Sequence, residues 1–366
     1  MPSTKKTAAW PLTLAYIALV IYASLYPFDA WRNQGIHPWA YLTQPLPKYW
    51  TGFDVAINIA GYVPLGFLGV LTALRTGHSK YAVLGVTMLV FTLSMCLEGL
   101  QNYLPSRVAS NVDLWLNALG GWLGGFTAWL LEKVGAIDRW SHFRYTWFVR
   151  QARGGLVLLA LWPVAAIFPA AVPLGLGQVL ERVEAALGDA LSNTPFLEWL
   201  PMRTIELQPL LPGAELLCVL LGALIPVLLA YSILRTSAQR VVFLIAVLTA
   251  SVLVSGISAG LSYGPEHALA WLTLPVKLGL LGAAVAGVLC LALSARSCIA
   301  VLLVALVAQF FMLNSAPASP YFAQTLQTWE QGRFIRFHGV VQWLGWLWPF
   351  AAVGYVMARI SKPNVN

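Results

Sequence analysis

The chain has 366 residues, of which 59% are hydrophobic and only 10% are charged, and its mean hydropathy is +0.72. Roughly a quarter of the residues of a soluble globular chain are charged, so this composition excludes an ordinary soluble domain. Apolar runs near twenty residues recur along the chain, and as helices they cross about 30 Å of hydrocarbon. These runs do not alternate in polarity as membrane β-strands do. The sequence therefore predicts an all-α, polytopic transmembrane helix bundle.

In chain order the apolar runs predict about ten spans. The first follows "MPSTKK" and lacks a small-x-small cleavage site, so we interpret it as a retained span rather than a signal peptide. The ninth is the shortest. The predicted spans are 10–28, 55–74, 81–100, 114–131, 154–172, 211–234, 241–261, 276–295, 298–313 and 338–358.

Lys and Arg are unevenly distributed between the alternate loops. With the N-terminus inside, most of them fall on the inner side and nearly all Asp and Glu fall on the outer side, which is the positive-inside pattern. The pattern predicts cytoplasmic N- and C-termini. It also accounts for the net charge of +8 without a nucleic-acid partner.

The distribution of charge also suggests three parts: a four-span domain (1–131), a basic cytoplasmic linker (132–153) and a six-span domain of unknown role (154–366). The linker, "EKVGAIDRWSHFRYTWFVRQAR", is typical of an interfacial helix on anionic lipid, and a site for a cytosolic partner is the other interpretation. The predicted outer loop 173–210 contains a run with apolar residues at helical spacing, which indicates an amphipathic helix.

Two of the predicted spans begin alike. Asp54 opens one and Asp113 the other, each followed by Asn at the fourth position and by Gly at the seventh and twelfth. This similarity favours two related hairpins, repeated about an axis along the membrane normal. Each Asp is expected to cap its helix and to face the positive end of the helix dipole. An Asn one turn deeper needs a partner inside the protein, because lipid offers none.

Glu98 lies near the end of the third span, where the helix dipole disfavours an anion. Arg107 is its nearest basic residue along the chain, so one interpretation is a structural ion pair. The other is an outward-facing polar pocket. We predict a ligand-binding cluster there, with no catalytic residue, cofactor or metal ligand; its members are Asp54, Asn58, Glu98, Gln101, Arg107, Asp113 and Asn117.

Two blocks of these residues resemble VanZ-like membrane proteins over roughly residues 10–131. The first block comprises Asp54, Asn58, Ile59, Pro64 and Gly66. The second comprises Glu98, Gln101, Pro105, Arg107, Asp113, Asn117, Gly120 and Gly124. The resemblance implies a role in the bacterial cell envelope, in the inner membrane, and a link to teicoplanin (glycopeptide antibiotic) resistance. The six-span half departs from the short family form.

Our first functional hypothesis is a module that binds or handles an anionic envelope lipid, or an isoprenoid-linked envelope precursor, at the outer face. In it Arg107 contacts phosphate, for which a guanidinium is well suited. The alternatives are a lipid transporter or flippase, and an integral-membrane enzyme acting on a lipid carrier. The predicted partners are membrane lipids, and protein partners are left open. The polar stretch "WEQGRFIRFHG" (329–339) is a solvated loop or a lid.

Overall fold

A computed structural model describes residues 9–26, 28, 30–46, 52–77, 81–149, 151–199, 207–317 and 338–361. The regular elements in these ranges are helices, joined by short 3₁₀ turns and by one isolated β-bridge. The chain divides into two compact units, residues 1–142 and 143–366. The division falls inside the predicted linker, residues 132–153.

In its described residues the first unit contains four apolar helices and the start of a fifth, more polar helix. They are α1 (Ala9–Leu25), α2 (Gly52–Arg75), α3 (Ala82–Gln101), α4 (Asn111–Lys133) and α5 (Ala136–Trp147), of which α5 crosses the division. Helices α2 and α4 form the most extensive pair, and α3 packs against α4. The N-termini of α2 and α4 and the C-terminus of α3 therefore lie at one end of this bundle.

The α2–α4 contact depends on glycine. A Cβ at Gly120 would meet the Ile59 carbonyl oxygen, and one at Gly124 would meet the Val63 carbonyl oxygen. A Cβ at Gly66 would likewise meet the backbone of Gly121. Two helices in lipid associate by close packing rather than by the hydrophobic effect, and small residues permit that approach. The small-residue spacing of α4 thus explains how the two backbones touch.

The second unit is built around α8 (Pro212–Tyr231), which is buried along most of its length. The other helices among the described residues are α6 (Arg153–Ile167), α7 (Leu180–Leu191), α9 (Ser237–Tyr263), α10 (Leu274–Leu289), α11 (Ala295–Asn314) and α12 (His338–Ile360). Helices α6, α9, α10 and α11 all contact α8. The core of this unit is aliphatic along α8, with Trp162 and Trp348 buried beside it.

Between α6 and α7 the chain runs without helix through residues 168–179, and much of this segment is buried. Non-helical backbone at such depth needs partners inside the protein. The Asn314 amide supplies two of them: its oxygen accepts from the Val179 N–H and its nitrogen donates to the Gly177 carbonyl, each at 3.0 Å. The same oxygen also accepts from the N–H of Leu180, the first residue of α7. Gln309 donates to the Leu174 carbonyl at 3.1 Å.

Each of the ten predicted spans coincides with a helix, but six of the described helices are long and apolar enough to cross a membrane: 54–75, 82–101, 212–231, 237–263, 274–292 and 295–314. The count of ten is therefore not confirmed. Helices α1 and α6 are shorter, with 17 and 15 residues. Helix α4 is long enough, but its glycines, tryptophans and Asn117 lower its hydropathy.

Two smaller predictions concern the segments outside the spans. The apolar periodicity within 173–210 corresponds to α7, in which no residue is buried. The basic segment 132–153 contains α5. The stretch 329–337 lies outside the described residues, as does the side chain of His338, so neither the loop nor the lid interpretation is tested.

Candidate functional site

A chain of hydrogen bonds joins three helix ends in the first unit. The Ser110 N–H donates to Glu98 Oε2 at 2.9 Å, and the Asp113 N–H donates to Ser110 Oγ at 3.3 Å. The Asn58 amide then donates to Asp113 Oδ1 at 2.7 Å. We call Asn58, Glu98, Ser110 and Asp113 the rim network. It connects the C-terminus of α3 to the N-termini of α4 and α2.

The local sequence explains how α4 begins. Ser110 has an extended backbone and is the N-cap, and its hydroxyl accepts from the N–H three residues on. The N-cap residue of α4 is therefore Ser110, and Asp113 follows it three residues into the helix. Asp113 lies in the first turn, where its charge still faces the positive end of the dipole. Asp54 has the same position in the first turn of α2, one turn before Asn58.

Glu98 is buried, with 4% of its surface exposed. A carboxylate so deep in a bundle requires hydrogen bonds, and the Ser110 N–H supplies one. Tyr41, in the connection between α1 and α2, is 1% exposed, and its hydroxyl donates to the Met95 carbonyl at 3.0 Å. Burial raises the pKa of Tyr41 to about 12, and the Glu98 charge adds to the rise. The tyrosine is therefore neutral near pH 7.

Arg107 and Gln101 bind the end of α1. The Arg107 guanidinium donates to the Tyr26 carbonyl through Nε at 3.1 Å and through Nη2 at 2.6 Å, and to the Ala23 carbonyl at 3.3 Å. Gln101 donates to the Ser24 carbonyl at 3.1 Å. The last carbonyls of a helix have no partner within the helix, and cations are favourable there. These bonds give both side chains a structural role at the α1 terminus.

Asn117 lies one turn below the rim network on α4 and is 4% exposed. Its amide nitrogen donates to Ser94 Oγ on α3 at 2.9 Å, while its oxygen is buried without a hydrogen-bond partner in the described part of the chain. Ser94 is fully buried. Asn58 has the equivalent position in the similar span α2, but its amide donates to Asp113 in the first turn of α4. The two asparagines therefore have different partners.

The structure thus divides the predicted cluster into three neighbouring groups. The first group is the rim network with Asn58, Glu98 and Asp113, and Asp54 lies one turn before Asn58 on α2. The second group is Gln101 and Arg107, which bind the end of α1. The third is Asn117, which lies one turn further along α4 and bonds to Ser94. A Glu98–Arg107 ion pair stays a prediction. In the described ranges no group of three or more His, Cys, Asp or Glu is arranged to hold a metal ion.

Sequence reasoning missed three residues that complete the site: Ser110, Ser94 and Tyr41. For Ser110 a signal exists, because "SNVD" has the spacing of Ser to an acid three residues later that marks a helix start. Ser94 lies in an apolar run, and Tyr41 lies in a long connection. Nothing local to either residue indicates that the fold brings it to the site.

Residues 5–132 match the family model described as VanZ/LLP1, which is about a third of the chain. This part is a VanZ-like domain, and it covers α1 together with the three helices that carry the rim network, α2, α3 and all but the last residue of α4. The remainder of the chain has no assigned family. Neither a curated protein nor a solved structure matches the chain.

Proposed function

We propose, taking the VanZ-like domain of residues 5–132 as the premise, that this membrane protein binds the headgroup of an anionic envelope lipid or a lipid-linked compound. The site is the end of the first bundle that carries the rim network. Its carboxylates contact hydroxyl, amide or ammonium groups of the headgroup. This end faces outward in the predicted topology.

One observation supports the proposal most directly: a buried carboxylate, Glu98, is held at the mouth of an apolar bundle. Ionisable residues within spans are costly and usually mark a functional position. Helix capping alone does not require Glu98, because Ser110 already caps α4. The bonds of Arg107 to α1 place the guanidinium beside the same end of the bundle, and a phosphate contact by Arg107 stays part of the proposal.

Native mass spectrometry of the detergent-purified full-length protein tests this proposal through the lipids that co-purify. Asp113→Asn keeps the side-chain volume and removes the charge. We expect the wild type to retain an anionic isoprenoid or other envelope lipid, and Asp113→Asn to lose most of it. The matched control is Asp189→Asn, which removes one carboxylate from exposed α7. It should keep the wild-type lipid.

The same lipids on all three proteins would overturn the proposal. Arg107→Ala, used alone, is a weaker test, since it also removes three hydrogen bonds to the end of α1. Growth of cells with and without the gene at rising teicoplanin concentration tests the implied resistance link separately. Equal growth would leave lipid binding standing and remove the link to the antibiotic.

A lipid transporter is the second candidate, and the buried non-helical segment 168–179 favours it. Transporters place irregular backbone at depth where it lines a cavity. Residues of this segment and the α9 residues Ser255, Ser258 and Ser262 line a cavity of about 80 Å³. Movement of labelled lipid between the leaflets of vesicles tests it, and no movement would exclude it. The enzyme alternative stays a prediction, tested by turnover of a lipid carrier by the purified protein.

A further inference from the structure

We infer that the second unit has an anion site for a phosphate group, carried by the headgroup of an anionic phospholipid. The site is a half-open pocket of about 300 Å³. Its lining residues, which we call the arginine cup, are Arg144, Tyr145, Phe148, Val149, Ala152, Arg153, Leu156 and Arg235. It lies in the other unit from the rim network and does not depend on the function proposed there.

The local backbone builds the cup. An antiparallel β-bridge pairs Phe148 with Leu234. The Val149 N–H donates to the Ile233 carbonyl at 2.9 Å, and the Arg235 N–H donates to the Trp147 carbonyl at 3.2 Å. These bonds fix the turn after α8 beside the segment that leads into α6. They therefore hold Arg144, Arg153 and Arg235 around one pocket.

The charge of the cup is unbalanced. Its lining contains three arginines and no acidic residue. The described contacts give the Arg144 and Arg153 side chains no hydrogen bond or ion pair, and Arg235 uses its Nε, which donates to the Phe148 carbonyl at 2.9 Å. The guanidinium of Arg235 also lies over the Tyr145 ring, at 5.4 Å from its centroid. Arg235 is thus oriented with its terminal nitrogens left for another partner.

Two other arginines of this unit show what a purely structural role looks like here. Arg240 donates to the carbonyls of Leu291, Leu293 and Tyr231, where α8 and α10 end. Arg359 donates to the carbonyls of Gln151 and Ser232. The guanidinium groups of both residues donate to backbone carbonyls at helix ends and in connections, whereas the arginines of the cup surround an open volume.

The chemistry of the cup selects phosphate. Arginine forks match phosphate oxygens. The N-terminus of α6 contributes to the same pocket, since its N-cap is Ala152, which makes no side-chain cap bond; the first-turn N–H groups and the helix dipole favour an anion. No Asp or Glu occurs in residues 143–180 or 216–265 to compete for the arginines.

A membrane lipid is the source that the surroundings favour. Phe148, Val149 and Leu156 give the cup an apolar side. The cup lies where the apolar helix α6 begins and where the apolar helix α8 ends. Basic pockets between transmembrane helices near the cytoplasmic face hold anionic headgroups. A soluble phosphorylated compound shares the phosphate chemistry and is the alternative source.

Titration of the purified full-length protein with phosphatidylglycerol, followed by native mass spectrometry, tests the site. We expect Arg144→Gln to weaken the first binding event about tenfold or more. Arg296→Gln is the matched control, because Arg296 is an exposed arginine at the start of α11 outside the cup, and it should change binding by less than about threefold. Arg153→Gln repeats the test with another residue of the cup if Arg144→Gln is poorly folded.

Equal weakening by Arg144→Gln and Arg296→Gln would overturn the inference, since it would show diffuse attraction to surface charge. Phosphatidylcholine, which carries a phosphate but no net charge, should bind more weakly than phosphatidylglycerol. Inorganic phosphate, added at constant ionic strength with chloride, separates the two sources. Persistence of the bound lipid supports the lipid source, and displacement by phosphate overturns it in favour of a soluble compound.

Discussion

At the residue scale, the rim network shows how polar side chains are tolerated at the end of an apolar bundle. Glu98 and Asp113 each accept a hydrogen bond, from a backbone N–H and from an amide respectively. A buried polar group left without a partner costs about 1–3 kcal/mol, and more when it is charged. Asn58 is 7% exposed, whereas Asp113 is half-buried, so the bond between them is partly shielded from water.

We predict that Asn58→Ala destabilises the first unit by about 2 kcal/mol, because it removes a short hydrogen bond to a carboxylate. Thermal unfolding in a fixed detergent measures the change. Asn193→Ala is the control, since Asn193 is exposed in the turn after α7 and should leave the midpoint within error. A wild-type midpoint for Asn58→Ala would mean that the Asn58–Asp113 bond is dispensable for stability.

At the element scale, close packing of α2 against α4 holds the rim residues of the two helices together. The residues that let these helices touch follow the rim residues on the same two helices: Gly66 on α2, and Gly120 and Gly124 on α4. The sequence similarity between the spans that begin at Asp54 and Asp113 therefore has a structural explanation. Both helices combine a polar N-terminal turn with glycines further along the helix. Duplication of an ancestral hairpin stays a prediction.

We predict that Gly124→Ala destabilises this pair by about 1–3 kcal/mol, the usual cost of overpacking. A Cβ at Gly124 would lie 2.8 Å from the Val63 carbonyl carbon and 2.9 Å from the Phe67 nitrogen, so the two backbones must separate. Gly85→Ala on α3 is the matched control, because nothing lies within 4 Å of its Cβ position. It should be neutral or stabilising by roughly 0.5–1 kcal/mol, since alanine favours helix. Equal midpoints for the two variants would show that the α2–α4 contact accommodates a methyl group at Gly124 without cost.

At the scale of the whole molecule, patterns of apolar residues predict more of the fold than of the site. Span positions follow from runs of side chains that must be helical in lipid, and each predicted span coincides with a helix. The partners of Arg107 could not be predicted, because they are carbonyls of Ala23 and Tyr26, more than eighty residues away. Likewise nothing in the sequence near Asn314 indicates that its amide fixes residues 177–180. Tertiary bonds to backbone carry no local sequence signal.

The topology is the property of the whole chain that most needs a direct test. An even number of crossings puts both termini on one side, and the charge pattern predicts that this side is the cytoplasm. Four helices outside the six candidate spans, α1, α4, α6 and α12, decide the parity: if just one of them lies on the surface instead of crossing, the two termini face opposite sides. We expect a fluorescent fusion at the C-terminus to be bright in the cytoplasm, and alkaline phosphatase inserted after Asn193 to be active outside. A dark C-terminal fusion would contradict the even count. An inactive insertion after Asn193 would place α7 on the cytoplasmic side, and the orientation of the second unit, including the arginine cup, would have to be reversed.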